Sequence, residues 1–153
     1  MRVAFLIGGV LLAGALLWRF VPREPVQPAK ASWFVDRSAV SGLAAPNVSG
    51  STGRLAVPEM NGQGVALLDY DGDGWLDVYQ PNGATVERVL TGDFPSDHLY
   101  RNNHDGGFTE VTRTAGVAGA SWSMGAAAAD YDGDGDADIY VTNVGQDHLW
   151  RNN

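Results

Sequence analysis

The sequence has no cysteine and few basic residues. The absence of cysteine among the 153 residues excludes disulfides, zinc–thiolate sites, a thiol nucleophile and a lipidated cysteine after a leader. Ten Lys and Arg stand against 18 Asp and Glu, and the net charge is −8. Because such a chain repels phosphates, we expect no nucleic-acid partner. The 20 glycines favour a turn-rich β protein over a helical one.

The acidic residues that are present are concentrated. Nine of the 18 lie in two nine-residue segments, residues 69–77 and 130–138, which we call the first and the second loop. Carboxylates at this density repel one another unless a cation lies among them. The acidity therefore indicates local metal chemistry more than general solubility.

Each loop carries the same oxygen donors at the same spacing. Carboxylates occupy positions 1, 3, 5 and 9, a glycine at position 6 permits a left-handed turn, and the carbonyl at position 7 adds an oxygen. Hard oxygen donors favour calcium over zinc or copper, and magnesium demands a stricter octahedron. We predict one Ca²⁺ per loop, with these ligands: Asp69, Asp71, Asp73, the Trp75 carbonyl and Asp77; then Asp130, Asp132, Asp134, the Asp136 carbonyl and Asp138.

The loops differ from an EF-hand in two respects. Position 12 should be a bidentate glutamate, but Gln80 and Val141 stand there. The flanking residues are also strand-like, where an EF-hand has helices. We therefore predict an ion that pins a turn between strands, with no sensor behaviour. The competing interpretation is a solvated acidic turn that holds no ion.

The N-terminal segment is apolar. No charge occurs from residue 3 to residue 18, which is typical of an export signal. Three interpretations of residues 1–21 remain open: a cleaved signal peptide, a retained membrane anchor and a buried core helix. Residues 22–32 contain three prolines and are predicted to be an extended linker. The folded part is then expected to span residues 33–153.

The folded part is internally repeated. The two loops match at an offset of 61 residues and the segments after them match at an offset of 50, so the first copy holds eleven additional residues between its loop and residue 97. Those lie within residues 80–96, whose prolines and glycines predict a surface loop suited to a specific partner. The matched pairs are residues 34–43 with 108–117, 69–77 with 130–138, and 97–103 with 147–153.

Each copy is predicted to form about four short strands. Apolar runs lead into each loop, at residues 64–68 and 125–129, and alternating segments lead out of them. Residues 98–101 and 108–111 flank a glycine-containing hairpin turn. A four-stranded antiparallel sheet repeated at 50 to 61 residues is typical of a β-propeller blade, so the predicted fold is all-β, with about two blades.

The repeated strings resemble a known family. Gly-x-Ala-x-x-Asp-Tyr-Asp-Gly-Asp-Gly-x-x-Asp-[Val/Ile]-Tyr, then Leu-[Tyr/Trp]-Arg-Asn-Asn, then Phe-Thr-Glu-Val-Thr-x-x-Ala-Gly-Val are similar to FG-GAP/VCBS repeats, and more narrowly to the ASPIC/UnbV, cartilage-acidic-protein-like group. The resemblance implies a propeller, seven-bladed in related proteins, with calcium in its loops. It also implies export and adhesive binding. The same eight aspartates carry over as ligands.

Two other residue sets have alternative interpretations. His98 and His148 each follow an aspartate, which suits a general base, but their recurrence favours a structural role in each repeat. His104 lies in a predicted turn, where solvation is expected. Three tryptophans fit either a sugar-stacking surface or blade packing: Trp75, Trp122 and Trp150.

These observations predict a non-enzymatic, calcium-stabilised, extracytoplasmic repeat module. It would bind a protein or glycan and touch a membrane only through its N-terminal segment. The rival class is the first part of a propeller enzyme, a lyase or hydrolase, whose active site lies in further sequence. A third is a structural spacer. Two blades bury little core, so we also expect the sequence to be the N-terminal piece of a longer protein.

Overall fold

A computed structural model describes residues 33–48, 50 and 57–153. The predicted signal or anchor and the linker lie outside these residues. Within the described part, no helix has the length and apolar character needed to cross a membrane. Residues 36–153 form one compact unit. Residues 33–35, just before it, are non-regular and exposed.

The first repeat folds into a four-stranded antiparallel sheet in which each strand pairs with the next along the chain. The first loop joins its first two strands, and residues 103–107 join the last two by a turn. The predicted strands around the first loop are thus confirmed. The strands are β1 (Ala66–Leu68), β2 (Asp77–Gln80), β3 (His98–Asn102) and β4 (Phe108–Glu110).

The second repeat forms a three-stranded antiparallel sheet, with the second loop between its first two strands. A register shift between Ser123 and Gly125 interrupts the regular pairing of the first strand. The sheet has one strand fewer than predicted, because the sequence reaches Asn153 at the position where the first repeat begins its last hairpin turn. The strands are β5 (Ser123–Ala129), β6 (Asp138–Asn143) and β7 (His148–Trp150).

The core lies between the two sheets. Tyr79 and Leu99 of the first sheet are 0% and 1% exposed, and they pack in one cluster with Ile139 and Val141 of the second. Alternating burial along β1, in which only Leu67 is exposed, identifies the face that turns inward. The two sheets therefore stack face to face, as consecutive propeller blades do.

The additional residues of the first repeat are more ordered than a surface loop. Residues 81–84 are buried, and a helix follows, capped by the Thr85 hydroxyl at its start and by Gly92, with φ 71°, at its end. The surface prediction is therefore wrong for residues 81–84, whereas the helix has no buried residue and lies at the surface as a helix instead of a loop. Both prolines and both glycines of the segment lie outside the helical residues. The helices of the described part are α1 (Val57–Asn61), α2 (Val86–Thr91) and α3 (Thr112–Ala115).

Candidate metal centre

The first aspartate of each loop folds the loop around itself. The Asp69 carboxylate accepts hydrogen bonds from the backbone N–H groups of Asp73 and Gly74, at 3.1 and 2.8 Å. Asp130 accepts from Gly133 and Gly135 at 2.7 and 3.0 Å. The hydrogen bonds that fold each loop therefore come from residues of the loop itself.

Glycines at positions 4 and 6 make this turn accessible. Gly72 and Gly74 have φ of 71° and 88°, and Gly133 and Gly135 have φ of 79° and 101°. A Cβ at these positions would meet nothing within 4 Å. The requirement for glycine is thus the left-handed backbone and not the available space. The glycine at position 4 extends the prediction, which used position 6 alone.

The last aspartate of each loop is the buried member of the site. Asp77 and Asp138 are 0% and 2% exposed at the starts of β2 and β6. One oxygen of Asp77 accepts from the Tyr70 N–H at 3.0 Å, and the other accepts from the Asn102 N–H at 2.7 Å. Asp138 makes the equivalent bonds with Tyr131 and Asn152, at 3.0 and 2.8 Å.

Three of the four predicted carboxylate ligands in each loop converge. One oxygen from each of Asp69, Asp71 and Asp77 lies within 4.8 Å of the others, and Asp130, Asp132 and Asp138 form the same arrangement. This spacing suits a shared cation with calcium–oxygen distances of ~2.3–2.6 Å. The structure thus brings together six of the eight predicted carboxylate ligands.

The position-5 aspartates bind the loop backbone and do not join the carboxylate groups. Each caps its own loop, since Asp73 accepts from the Trp75 N–H at 2.9 Å and Asp134 accepts from the Asp136 N–H at 3.1 Å. These bonds lower the pKa of the Asp73 and Asp134 carboxyls. Neither residue belongs to the three-carboxylate groups, and the position-7 residues, Trp75 and Asp136, contribute these N–H groups to the turn.

A histidine covers the first loop. His104, the non-glycine residue of the described part with a positive φ (66°), places Nε2 2.7 Å from Asp73 Oδ2. Its ring stacks on Trp75, with centroids 5.0 Å apart. The sequence predicts only solvation at this position. His104 is 31 residues from Asp73 in the sequence. The second copy contains no matching histidine that would have identified it as a residue in contact with the loop.

An arginine covers the second loop. The Arg151 guanidinium lies 2.7 Å from Asp132 and 3.1 Å from Asp134. It therefore neutralises part of the carboxylate charge that a cation would otherwise face. Sequence reasoning treats Arg151 only as part of the repeated Leu-[Tyr/Trp]-Arg-Asn-Asn string, so this contact was missed.

Two asparagines brace the loops. Besides their N–H bonds to Asp77 and Asp138, they donate from their side-chain amides: Asn102 to the Leu76 carbonyl at 3.1 Å, and Asn152 to the Tyr70 carbonyl at 2.7 Å. Asn152 thus ties the second repeat to the first loop. Their recurrence at an offset of 50 was the available signal for this role.

The pKa of the buried carboxyl group of the first loop, Asp77, reflects both its burial and the neighbouring carboxylate charges. Burial raises the pKa of Asp77, the N–H bonds from Asn102 and Tyr70 lower it, and the charges of Asp71 and Asp73 raise it again. The net shift is upward. A divalent cation between these groups would reverse the repulsion and favour the ionised form.

The remaining candidates have structural contacts. His98 Nδ1 lies 2.9 Å from Glu110, and the His148 ring packs beside Trp150 at 5.5 Å. Trp122 is 4% exposed, and Trp150 packs against the core cluster, whereas Trp75 is 49% exposed on the first loop. The described part therefore does not bring the three tryptophans into one exposed surface.

Residues 86–141 match the model of the FG-GAP-like repeat. The matched stretch runs from α2 into β6 and includes the whole second loop. The resemblance to FG-GAP repeats is confirmed for this stretch, and the two antiparallel sheets are compatible with propeller blades. The chain finds no significant match among curated proteins or among solved structures.

Proposed function

We propose that this chain is a calcium-stabilised, extracytoplasmic repeat module that binds a protein or a glycan and has no catalytic role. One observation carries the proposal: two loops at equivalent positions each place three carboxylates within 4.8 Å, and one of the three is buried. Clustered acidic groups alone are common on protein surfaces. Their recurrence with the same spacing, the same glycines and the same buried closing residue favours an ion.

The ion would stabilise the turn between the first two strands of each sheet. Asp77 and Asp138 each accept one backbone N–H bond from position 2 of their own loop and one from the asparagine at the end of the third strand or just after it. A calcium ion bound by these aspartates and by the other carboxylates of each loop would stabilise the turn in this position. A hard-oxygen site of this exposure suits the weak affinities, Kd ~10⁻⁴ to 10⁻³ M, of extracellular modules.

Further parts of the proposal rest on the resemblance. The full propeller would have seven blades and belong to the ASPIC/UnbV, cartilage-acidic-protein-like group, with export directed by residues 1–21. A non-catalytic role is supported by the commitment of the Asp97–His98 pair to structure. Asp97 is buried on Tyr79, and His98 is held by Glu110.

Calorimetric titration of the full chain with CaCl₂ tests the calcium proposal. We expect two sites, each removed separately by Asp71→Asn or Asp132→Asn, and a melting temperature that falls with chelator. At a calcium concentration of 100 Kd, each site should add about 2.7 kcal/mol to the free energy of unfolding. The matched control is Glu87→Gln, which changes an exposed acidic residue of α2. No heat and no effect of chelator would reject the proposal.

A further inference from the structure

The outer face of the second sheet is apolar and exposed. The strand register places Ala127, Tyr140 and Leu149 side by side on β5, β6 and β7. Tyr140 is 44% exposed and Leu149 is 49% exposed. Side chains on this face therefore leave a tyrosine and a leucine in water, on the side of the sheet opposite to Ile139 and Val141.

The same three positions are covered in the first sheet. Ala66, Tyr79 and Leu99 correspond to them at the repeat offsets of 61, 61 and 50, and they share one register row. Their exposures are 6%, 0% and 1%. The cover is the inner face of the second sheet, chiefly Ile139 and Val141. The molecule thus shows what the repeat places on this face.

A polar bracket lies beside this face in both repeats. In the first, Asp97 Oδ1 accepts from the Asn82 N–H at 2.7 Å, and Oδ2 accepts from the Tyr79 hydroxyl at 2.9 Å. In the second, Asp147 accepts from the Asn143 N–H at 2.8 Å and from the Tyr140 hydroxyl at 2.6 Å. The bracket forms in both repeats, but only the first one is buried.

The first bracket is completed by the neighbouring repeat. The Ser123 hydroxyl donates to Asp97 Oδ2 at 3.0 Å, and the Ser123 N–H donates to the Asn82 carbonyl at 3.0 Å. Gly119 also passes so close that a Cβ there would lie 2.7 Å from Asp97 Oδ2. The covering segment therefore needs a glycine and, four residues later, a serine or another hydroxyl donor.

We infer that the outer face of the second sheet, with its Asp147–Tyr140–Asn143 bracket, docks a further sheet of the same repeat type. The docking sheet would present a Gly-x-x-x-Ser segment to Asp147 and an aliphatic face to Tyr140 and Leu149. This inference deepens the propeller part of the proposed function and is independent of the calcium part.

A second copy of this chain fits the face less well than such a sheet. In the first sheet of a second copy, the residue that corresponds to Ser123 at the loop offset of 61 is Gly62. Glycine supplies no hydroxyl to the bracket. The complementary segment is therefore of the kind that precedes the second sheet.

An extended chain tests the inference. Residue 103 corresponds to residue 153 at the offset of 50, so a second copy of residues 104–153 attached after Asn153 continues the repeat in register. The counterpart of Tyr140 in the added copy is changed to Phe, so that the two otherwise identical peptides differ in mass. We expect nitration of Tyr140 by tetranitromethane, mapped by mass spectrometry, to fall to the level of Tyr79. Tyr131, which is 55% exposed, serves as the internal reference and should stay reactive.

Three variants sharpen the test. Ser123→Ala or Gly119→Val in the added copy alone should restore part of the Tyr140 reactivity. Asp147→Ala should lower the melting temperature of the extended chain more than that of the original chain. Unchanged Tyr140 nitration, an added copy that remains unfolded by circular dichroism, or equal effects of Asp147→Ala in both chains would overturn the inference.

Two further measurements separate the alternatives. Concentration-dependent association of the original chain in sedimentation, with protection of Tyr140, would show that a second copy covers the face and would also overturn the inference. Chelator is applied to the original chain in parallel. If chelator has no effect on the original chain but Tyr140 is protected in the extended chain, the calcium proposal alone is rejected. If chelator destabilises the original chain but Tyr140 stays reactive in the extended chain, the docking sheet alone is rejected.

Discussion

The two repeats share a sequence pattern and differ in what surrounds it. Both build the aspartate loop, the buried closing carboxylate and the Tyr–Asn–Asp bracket from local residues. Tyr79 of the first repeat is 0% exposed and Tyr140 of the second is 44% exposed. This repeat therefore encodes its own hydrogen bonds, whereas the next sheet supplies the burial.

The largest expected difference concerns the paired leucines. Leu99→Ala removes a side chain that is 1% exposed and should lower the free energy of unfolding by about 3 kcal/mol. Leu149→Ala removes one that is 49% exposed and should cost less than about 1 kcal/mol. Urea unfolding of the full chain measures both. Equal losses would show that the second outer face is also covered in solution.

The bracket aspartates should differ next. Asp97→Ala leaves three buried donors without their acceptor, from Asn82, Tyr79 and Ser123. Part of this cost is offset because a buried carboxyl group is also removed, so we expect a net loss of about 2 kcal/mol. Asp147→Ala frees its donors to water and should leave the melting temperature nearly unchanged. A comparable loss at both positions would contradict the difference in burial.

The sequence predicted the parts of the fold that repeat. The Asp-x-Asp-x-Asp spacing and the apolar runs beside it fixed the loops and six strands, because period-two burial and left-handed glycines act over a few residues. It did not predict α2, whose Thr85 cap and Gly92 stop lie among residues that also read as loop. The burial of Asp97 was not predictable either, since Ser123 is 26 residues away.

The candidate site divides in the same way. The converging carboxylates were predicted from spacing within each loop. The contacts of His104 with Asp73 and of Arg151 with Asp134 depend on strands that return to the loop after 31 and 17 residues. Sequence spacing carries no information about such returns until the register is known.

The side chains that cover the loops should give the two metal sites different affinities for calcium. Arg151 occupies Asp132 and Asp134, whereas the corresponding Arg101 makes no ion pair with a described carboxylate of the first loop. We expect weaker calcium binding at the second loop. Arg151→Met should lower its Kd by about two- to fivefold, the scale of one exposed ion pair. Arg101→Met is the matched control. The measurement is two-site calorimetry, and an unchanged second site would show that the guanidinium does not compete.

The smallest expected difference is in pH dependence. Burial raises the pKa of Asp97, despite opposing bonds from Asn82, Tyr79 and Ser123 and the nearby His148 charge. Its contribution is therefore fully present below the unfolded pKa, ~3.9, and is lost as the pH rises through the folded value. The Tyr140 hydroxyl lowers the pKa of Asp147, so that contribution is present above the unfolded pKa and is lost as the pH falls through the folded value.

Subtraction isolates the two carboxyls. Melting temperatures of the unchanged chain, Asp97→Asn and Asp147→Asn are compared between pH ~3 and ~7, a range that brackets ordinary carboxyl titration. The advantage of the unchanged chain over Asp97→Asn should shrink as the pH rises, and its advantage over Asp147→Asn should grow. The acidic loops titrate in all three chains and cancel in the differences. Parallel pH profiles would mean that the two brackets have the same surroundings, because only a difference in burial gives the shifts opposite signs.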